Sequence, residues 1–444
     1  MAVTVGPERA MPQTQRQMHL VAYLKTGPTA NHPGAWRHPA ATLHDIFEPE
    51  RYEHLARVLE DARFDAGFFA DTFGLPDIHG GGYDTYLGLG GQITYLDPMA
   101  VLPLMARVTR HLGLGATLST TFQTPYHLAR TLASQDLLTK GRTCWNVVTS
   151  ATEMEALNYG LDGLPPKAER YDRGDEVLEA CCALWDCWDD DVLVMDKARG
   201  VFADPSKVRR ADYTGRYVRT RGPLAMPRSP QGRPVLLQAG ASPRGREFAA
   251  RWAEAIFCTP HSLSDAQAFY ADIKQRTQAY RAPSTCKVLP SIAVVLGETD
   301  SIAREKAAYL DSLIDPELML AGNSQLLGVD LSQHHTEDAV LAAAGNQGIQ
   351  GSHDRVVQVA AAEGITFAQA ARRPRSLLVG TAQTVADHME AWFNNDACDG
   401  FVVWPTVFPQ MFEEFGRLVV PELQRRGLFR REYTGRTLRE NLAG

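Results

Sequence analysis

Residues 112–150 read LGLGATLSTTFQTPYHLARTLASQDLLTKGRTCWNVVTS. The segment opens on a short run that is apolar on both faces, LGLGATLST (112–120). Leucines and alanines then recur at helical spacing through YHLARTLASQDLL, and a second two-faced run follows, TCWNVVTS (143–150). Strands buried on both faces belong to parallel sheets, and parallel neighbours need a helical crossover. The segment is therefore one strand–helix–strand unit.

The same unit repeats in both directions. Upstream, MHLVAYL (18–24) and DAGFFAD (65–71) read as strands. A helix face of Tyr52, Leu55, Val58 and Leu59 lies between them, and the helical PMAVLPLMARVTRHL follows. Downstream, a helix from about 168 to 188 carries Val177, Leu178, Cys181, Leu184 and Trp185 on one stripe. Four more strands follow: RPVLLQAG (233–240), AIFCT (255–259), KVLPSIAVVLG (287–297) and DGFVVWP (399–405). Helical patterns separate them, including SIAREKAAYLDSLI and TVADHMEAWFNN, and MFEEFGRLVVPEL begins the last helix. Eight strands, each followed by a helix, predict an α/β fold closed as a (β/α)8 TIM barrel, with an open doubly wound sheet as the rival. The barrel is expected as one domain over 18–444, with insertions near 72–97, 189–232 and 315–376. The last should hold short helices such as HDRVVQVAAAEG. Residues 1–17 are expected to form a flexible tail without the apolar core of a signal peptide.

The 444 residues carry a formal net charge of −7, with 22% charged and 44% hydrophobic residues. That balance argues against a nucleic-acid or anionic-membrane surface. No apolar run reaches the roughly 18 residues needed to span a bilayer. Seven cysteines without a CxxC pair point to reduced thiols in a cytoplasmic protein rather than to disulfides or a zinc site. His334 and His335 show no metal-ligand spacing, and no metal is expected. There is no GxGxxG between a strand and a helix, no GxxxxGK[ST] and no GxSxG.

In such a barrel, ligands bind at the C-terminal ends of the strands. Those ends carry Asp71 after strand 2, Thr117 through Thr121 at strand 3, and Asn146 with Ser150 at strand 4. Gly240, Ala241 and Ser242 follow strand 5, and Trp404 ends strand 8. In QAGASPRGRE a serine and free backbone N–H groups open a helix, which is anion-binding geometry, with Arg244 and Arg246 nearby. In PPKAERYDRGDE (165–176), Lys167 and Tyr171 stand four residues apart at another helix start. The two helix starts either grip one phosphate from two sides or are a serine cap and a solvated lysine. His32 and His38, in NHPGAWRHP, are each a general acid, an orienting group or a structural histidine. Tyr23, Phe68, Phe122 and Trp404 are either pocket surface or barrel core.

Collinear blocks along nearly the whole chain carry a resemblance. They include GAWRHP, FDAGFFAD, GLGATLSTT, GRTCWNVVTS, ERYDRGDEVLE, GPLAMPRSPQGRPVLLQAGASPRGREFAARWAEAIF and VVPELQRRGLFRREYTGRTLRENL. With these the chain resembles the bacterial luciferase-like flavin monooxygenases. More narrowly, it resembles the branch with nitrilotriacetate monooxygenase, the pristinamycin synthase large subunit and dibenzothiophene-sulfone monooxygenase. The resemblance implies reduced FMN (FMNH2) supplied by a separate NAD(P)H:flavin reductase, O2 as the oxidant, a small organic substrate, and a homodimer or homotetramer. The family's FMN ligands fall on Asp71 and Thr117 at the ring, and on Lys167, Tyr171 and Ser242 toward the phosphate. Two positions depart from the pattern. Lys167 stands where relatives usually place histidine. Asn31 stands where the dibenzothiophene-sulfone enzyme looks to have histidine over the substrate end of the flavin, with His32 one residue later. Asn31 and His32 are the candidate catalytic pair. An F420-dependent oxidoreductase and a non-catalytic flavin-binding protein on the same barrel are the competing expectations.

Overall fold

The computed structural model describes residues 16–334, 336–344 and 350–443. Eight parallel strands close on themselves: β1 His19–Leu24, β2 Ala66–Phe69, β3 Gly113–Ser119, β4 Thr143–Val148, β5 Val235–Ala239, β6 Ala255–Cys258, β7 Lys287–Leu296 and β8 Gly400–Trp404. Each pairs with its sequence neighbour, and β8 pairs with β1 through His19 and Gly400. This is the (β/α)8 TIM barrel, and the open sheet is excluded. Side chains alternate along the strands, so Val21 points into the barrel with Phe68, Leu237, Phe257 and Val402. Leu20, Ala22 and Leu24 point outward against the helices. Each such side chain, fully buried, contributes about 1.5–3 kcal/mol relative to exposure.

The two ends of the barrel differ. At the N-terminal end Leu438 and Leu442 of the short helix Leu438–Ala443 join the interior cluster. That helix follows Gln410–Arg425, which the sequence marked as the last. Also at this end, Asp65 is fully buried. Its carboxylate accepts from Arg430 at 2.6 Å, from His19 Nδ1 at 3.0 Å and from the Leu20 N–H at 2.8 Å.

The insertions near 72–97 and 315–376 lie at the C-terminal end, whereas 189–232 leads from helix Lys167–Trp185 into the start of β5 at the N-terminal end, where Ser229 and Gln231 bond Asp136. Residues 189–232 form two small antiparallel pairs, Leu193–Asp196 with Val201–Ala203 and Tyr213–Thr214 with Arg219–Thr220. The segment 315–376 is more helical than its composition suggests, with helices Pro316–Leu327, Glu337–Ala344, Gln350–Glu363 and Phe367–Ala371. The first has local signals at both ends, an Asp315 side-chain cap and left-handed Gly328 at φ 71°. A three-residue strand, Leu378–Gly380, then adds to the far end of β7.

The expected tail falls outside the described residues apart from its last two. Arg16 is held by Asp396 at 3.2 Å and Asp399 at 3.1 Å and lies 4.4 Å over the Phe393 ring. All seven cysteines are unpaired. Among the described residues no helix is long and apolar enough to cross a membrane, and no group of acidic, histidine or cysteine side chains could hold a metal ion.

Candidate functional site

Parallel pairing places Thr117 of β3 beside Asn146 of β4. The Thr117 hydroxyl donates to the Phe69 carbonyl at 2.9 Å, so toward Asn146 it can only accept. Asn146 Nδ2 is therefore the atom that meets it, at 2.9 Å. The opposite atom, Asn146 Oδ1, is buried and has no partner. A buried acceptor without a donor is costly, which makes it a place for a ligand N–H. Ser150, just beyond β4, has a left-handed backbone at φ 54°; its hydroxyl meets that of Ser119 at 3.0 Å. Its carbonyl accepts from Arg170 Nη1. Arg170 is buried, and its Nε also lacks a partner.

A second group forms where β5 runs into helix Pro243–Trp252. Ser242 caps that helix, accepting from the Gly245 N–H at 3.2 Å. Helix Lys167–Trp185 begins at Lys167 and brings Tyr171, buried, against the same turn. The Tyr171 hydroxyl meets the side chains of Ser242 and Thr149. Burial raises the phenol's pKa despite the Ser242 hydrogen bond and the nearby Arg170 and Arg244 charges, so it remains a neutral donor. Gly245 keeps the cradle open: a Cβ there would stand 2.9 Å from Tyr171 Oη and 3.2 Å from Ser242 Oγ. A Cβ on Gly240 would lie 2.4 Å from Gln238 Nε2, so a side chain there would displace the end of Gln238.

The cations around the cradle divide into two kinds. Arg244 spans Asp172 at 3.3 Å and Asp175 at 2.5 Å, and Arg246 holds Asp272 at 2.9 Å. Both brace neighbouring helices. Lys167, half-buried, has no hydrogen bond or ion pair among the described residues; burial and the nearby Arg170 charge lower its pKa. The exposed Ala241 lies next to helix Gln350–Glu363, where a Cβ on Gly351 would approach the Ala241 Cβ to 3.9 Å.

Around the remaining rim, Asp71 accepts from the Thr72 N–H at 2.7 Å. Burial raises its pKa against the opposing effect of Lys25. Sequence reasoning passed over Lys25, an ammonium 3% exposed that donates to Thr94 Oγ1 at 3.1 Å. Burial lowers its pKa to about 8 from 10.5, opposed by Asp71 and Glu155. Below about pH 8 folded and unfolded chains both hold this proton, and the cost of burying the charge is present in full. As pH rises from about 8 to 10.5 the folded chain releases the proton first, so stability climbs. Lys25→Met removes that climb. In urea unfolding, the variant's stability relative to the parent should be greatest near pH 7 and should fall by about 3 kcal/mol toward pH 10.5. A pH-independent difference would sink this account of Lys25.

The candidate aromatics separate. Phe68 is buried and stacks on Phe257 at 4.8 Å, as barrel core. Tyr23 and Trp404, 5.1 Å apart, form the layer above it. Phe122 stacks on Tyr159 at 4.9 Å, with Phe73 edge-on to both rings. His32 has both ring nitrogens engaged. Nδ1 accepts from the Gly34 N–H at 3.2 Å, so Nε2 carries the proton toward Asp311 at 3.0 Å, on helix Asp300–Ser312. Burial lowers its pKa, opposed by Asp311. As placed, the ring has no nitrogen free for proton exchange with a ligand. Of the roles open to it, this bonding fits an orienting or structural one. His38 is occupied by the Ala40 N–H at 3.1 Å. Asn31 is buried; its carbonyl accepts from Gln92, and its side-chain amide makes no hydrogen bond among the described residues.

The profile of the family described as luciferase-like monooxygenase matches residues 28–397. The chain is 43% identical over 439 residues to a dibenzothiophene-sulfone monooxygenase of Rhodococcus erythropolis (strain XP), covering 96% of this chain and 97% of that one. It is 37% identical over 425 residues to nitrilotriacetate monooxygenase component A of Aminobacter aminovorans, covering 93% of each. A crystal structure of a riboflavin lyase with modified FMN and riboflavin superposes with a TM-score of 0.87 at 31% identity, covering 96% of this chain.

Proposed function

The chain belongs to the luciferase-like monooxygenase family and is a flavin-dependent monooxygenase; from that premise we propose that it takes reduced FMN from a separate NAD(P)H:flavin reductase and uses O2 to oxygenate a small organic substrate. The observation that carries the reading is the cradle of Tyr171, Ser242, Gly240 and Gly245, which can accept a phosphate. The orphaned Asn146 Oδ1 supports it from the other side, because the edge of a flavin ring offers an N–H. That one relative is a component A favours a multi-component system. A homodimer or homotetramer in the cytoplasm remains part of the proposal.

Reduced flavin supplies the activation of O2 and the transfer of one oxygen atom. The protein's part is binding, orientation and exclusion of water. Tyr171 and Ser242 donate to the phosphate, Lys167 adds charge, and Ala241 and Ser150 line the loops beside it. Asn146 accepts a ring N–H. Thr117 and Asp71 border the ring, and the Lys25 charge opposes the rise that burial imposes on the Asp71 pKa. Tyr23, Trp404 and Phe122 give the substrate an apolar seat, and the helices of 315–376 cover it. Asn31 supplies the free amide of its loop, and His32 holds that loop against Asp311.

The test is reconstitution. Purified protein with FMN and NADH alone should give no product. Adding a flavin reductase should start O2-dependent turnover across a panel of sulfur, nitrogen and aromatic compounds. Product formed without any reductase would overturn the two-component reading. Anaerobic turnover with F420 would replace it with hydride transfer.

A further inference from the structure

The 315–376 insertion carries two arginines that no carboxylate answers among the described residues. Arg375 lies between helix Phe367–Ala371 and the short strand on β7. Its guanidinium carbon stands 5.1 Å from the centre of the Trp404 ring, at the top of β8. Tyr23, at the end of β1, is the neighbour whose partial charge it feels. Among the described residues Arg375 makes no hydrogen bond and no ion pair. Arg355, 9% exposed, reaches only neutral acceptors: Asn323 Oδ1 at 3.3 Å and the Arg373 carbonyl at 3.5 Å. Each lowers its pKa through burial, Arg355 to about 10 with Arg375 as a second cause, yet both remain charged at neutral pH.

Arg142, buried and likewise without a carboxylate among the described residues, has its donors filled by the Thr139, Leu112 and Thr109 carbonyls and the Thr109 hydroxyl, and other arginines are held by carboxylates. Arg426 is held by Asp387, Glu390 and Glu422, and Arg439 by Glu254. Two carboxylates of the same insertion are committed elsewhere, Glu363 to Arg373 at 2.9 Å and Glu317 toward His79 at 3.5 Å. Two like charges side by side, Arg355 buried and Arg375 half-buried, without a counter-ion among the described residues are unfavourable until an anion arrives. The flavin phosphate is not that anion in the reading above. Its cradle ends β5, and in the closed order of eight strands β5 lies directly across the barrel from β1, with β8 next to β1. Arg375 therefore faces the opposite side of the mouth, over Trp404 and Tyr23, while Arg355, one turn along the helix from Gly351 beside Ala241, stands between it and the cradle.

We propose that Arg375, reinforced by Arg355 and seated on Trp404, docks a carboxylate or sulfonate group of the substrate, so that this enzyme oxygenates small organic anions. The proposal rests on the barrel mouth being the site of oxygen transfer. A guanidinium offers paired N–H donors that match two oxygens of such a group, and the indole face beneath it fixes its plane.

Binding calorimetry separates the proposal from the cofactor reading. The probes are benzoate and benzenesulfonate against their neutral isosteres benzamide and benzenesulfonamide, each with and without FMN. The parent should prefer the anions by about tenfold or more, with the preference shrinking in high salt. Arg375→Gln should abolish the preference and leave FMN affinity within about twofold, while Arg375→Lys should retain part of it. If Arg375→Gln fails to fold, Arg355→Gln carries the test, with an expected loss of anion affinity of about threefold or more. Equal binding of anions and amides by the parent overturns the proposal, as does a preference that survives in both glutamine variants. Loss of FMN binding in Arg375→Gln also overturns it, by placing the arginine in the cofactor grip. Failure of the parent to bind FMN would sink the cofactor reading alone, since the anion preference is read without FMN.

Discussion

Tyr171→Phe combined with Ser242→Gly weakens FMN binding by about two orders of magnitude or more. Each hydroxyl donated to a phosphate contributes about 1.5–3 kcal/mol, and tenfold in Kd corresponds to about 1.4 kcal/mol. The substitutions are chosen to spare the fold. Phenylalanine keeps the ring that packs edge-on against Phe248 at 5.6 Å. Glycine at the cap of helix Pro243–Trp252 costs only a few tenths of a kcal/mol, whereas alanine would cost about 1. Lys167→Ala should be milder, about tenfold, because one charged hydrogen bond is lost on a flexible, half-exposed stem. Titration of oxidised FMN by flavin fluorescence reads both variants. An unchanged Kd in the double variant would remove the phosphate from this cradle and take the cofactor geometry with it.

Arg430→Ala destabilises the fold by about 3–5 kcal/mol, as expected when one partner of a buried ion pair is deleted. The carboxylate left behind, Asp65, is fully buried, and after losing the 2.6 Å bond it keeps only His19 and a backbone N–H. Burial by itself would raise the Asp65 pKa, but the charges of Arg430 and His19 and the hydrogen bonds hold it below 3.8. In the parent the stabilisation is thus present above the unfolded value and is lost only as pH falls through the lower folded one; in Arg430→Ala burial loses its main offset and raises the carboxyl's pKa, so the deficit should be largest near pH 8 and shrink as pH falls. Replacing Asp65 and Arg430 together by Asn and Met should recover part of the loss, because no unpaired charge remains buried. Urea unfolding at several pH values measures each term. A cost under about 1 kcal/mol would mean that water reaches this end of the barrel.

The eight strands were legible because each is buried on both faces, and that burial is written locally as an unbroken apolar run; β3 was expected over 112–120 and spans Gly113–Ser119. Closure followed from the count of strand–helix units. The strand-end positions followed from closure, which is how Asp71, Thr117, Asn146 and Ser242 could be named before any coordinates were known. What sequence periodicity does not carry is the partner of a charge. Lys25 looks like an ordinary polar residue ending a strand; only the side-by-side pairing of β1 with β2 shuts it in near Asp71. His32 is committed to Asp311, 279 residues away. Arg244 and Arg246, which looked free beside the cradle, are neutralised by neighbouring helices, whereas Arg375 and Arg355, in a stretch that read as irregular, are not. The sequence by itself determined the elements and their order, because apolar periodicity acts over a few residues. Only the tertiary structure decided which charges are answered and which are left for a ligand, because that depends on which distant segments are packed together.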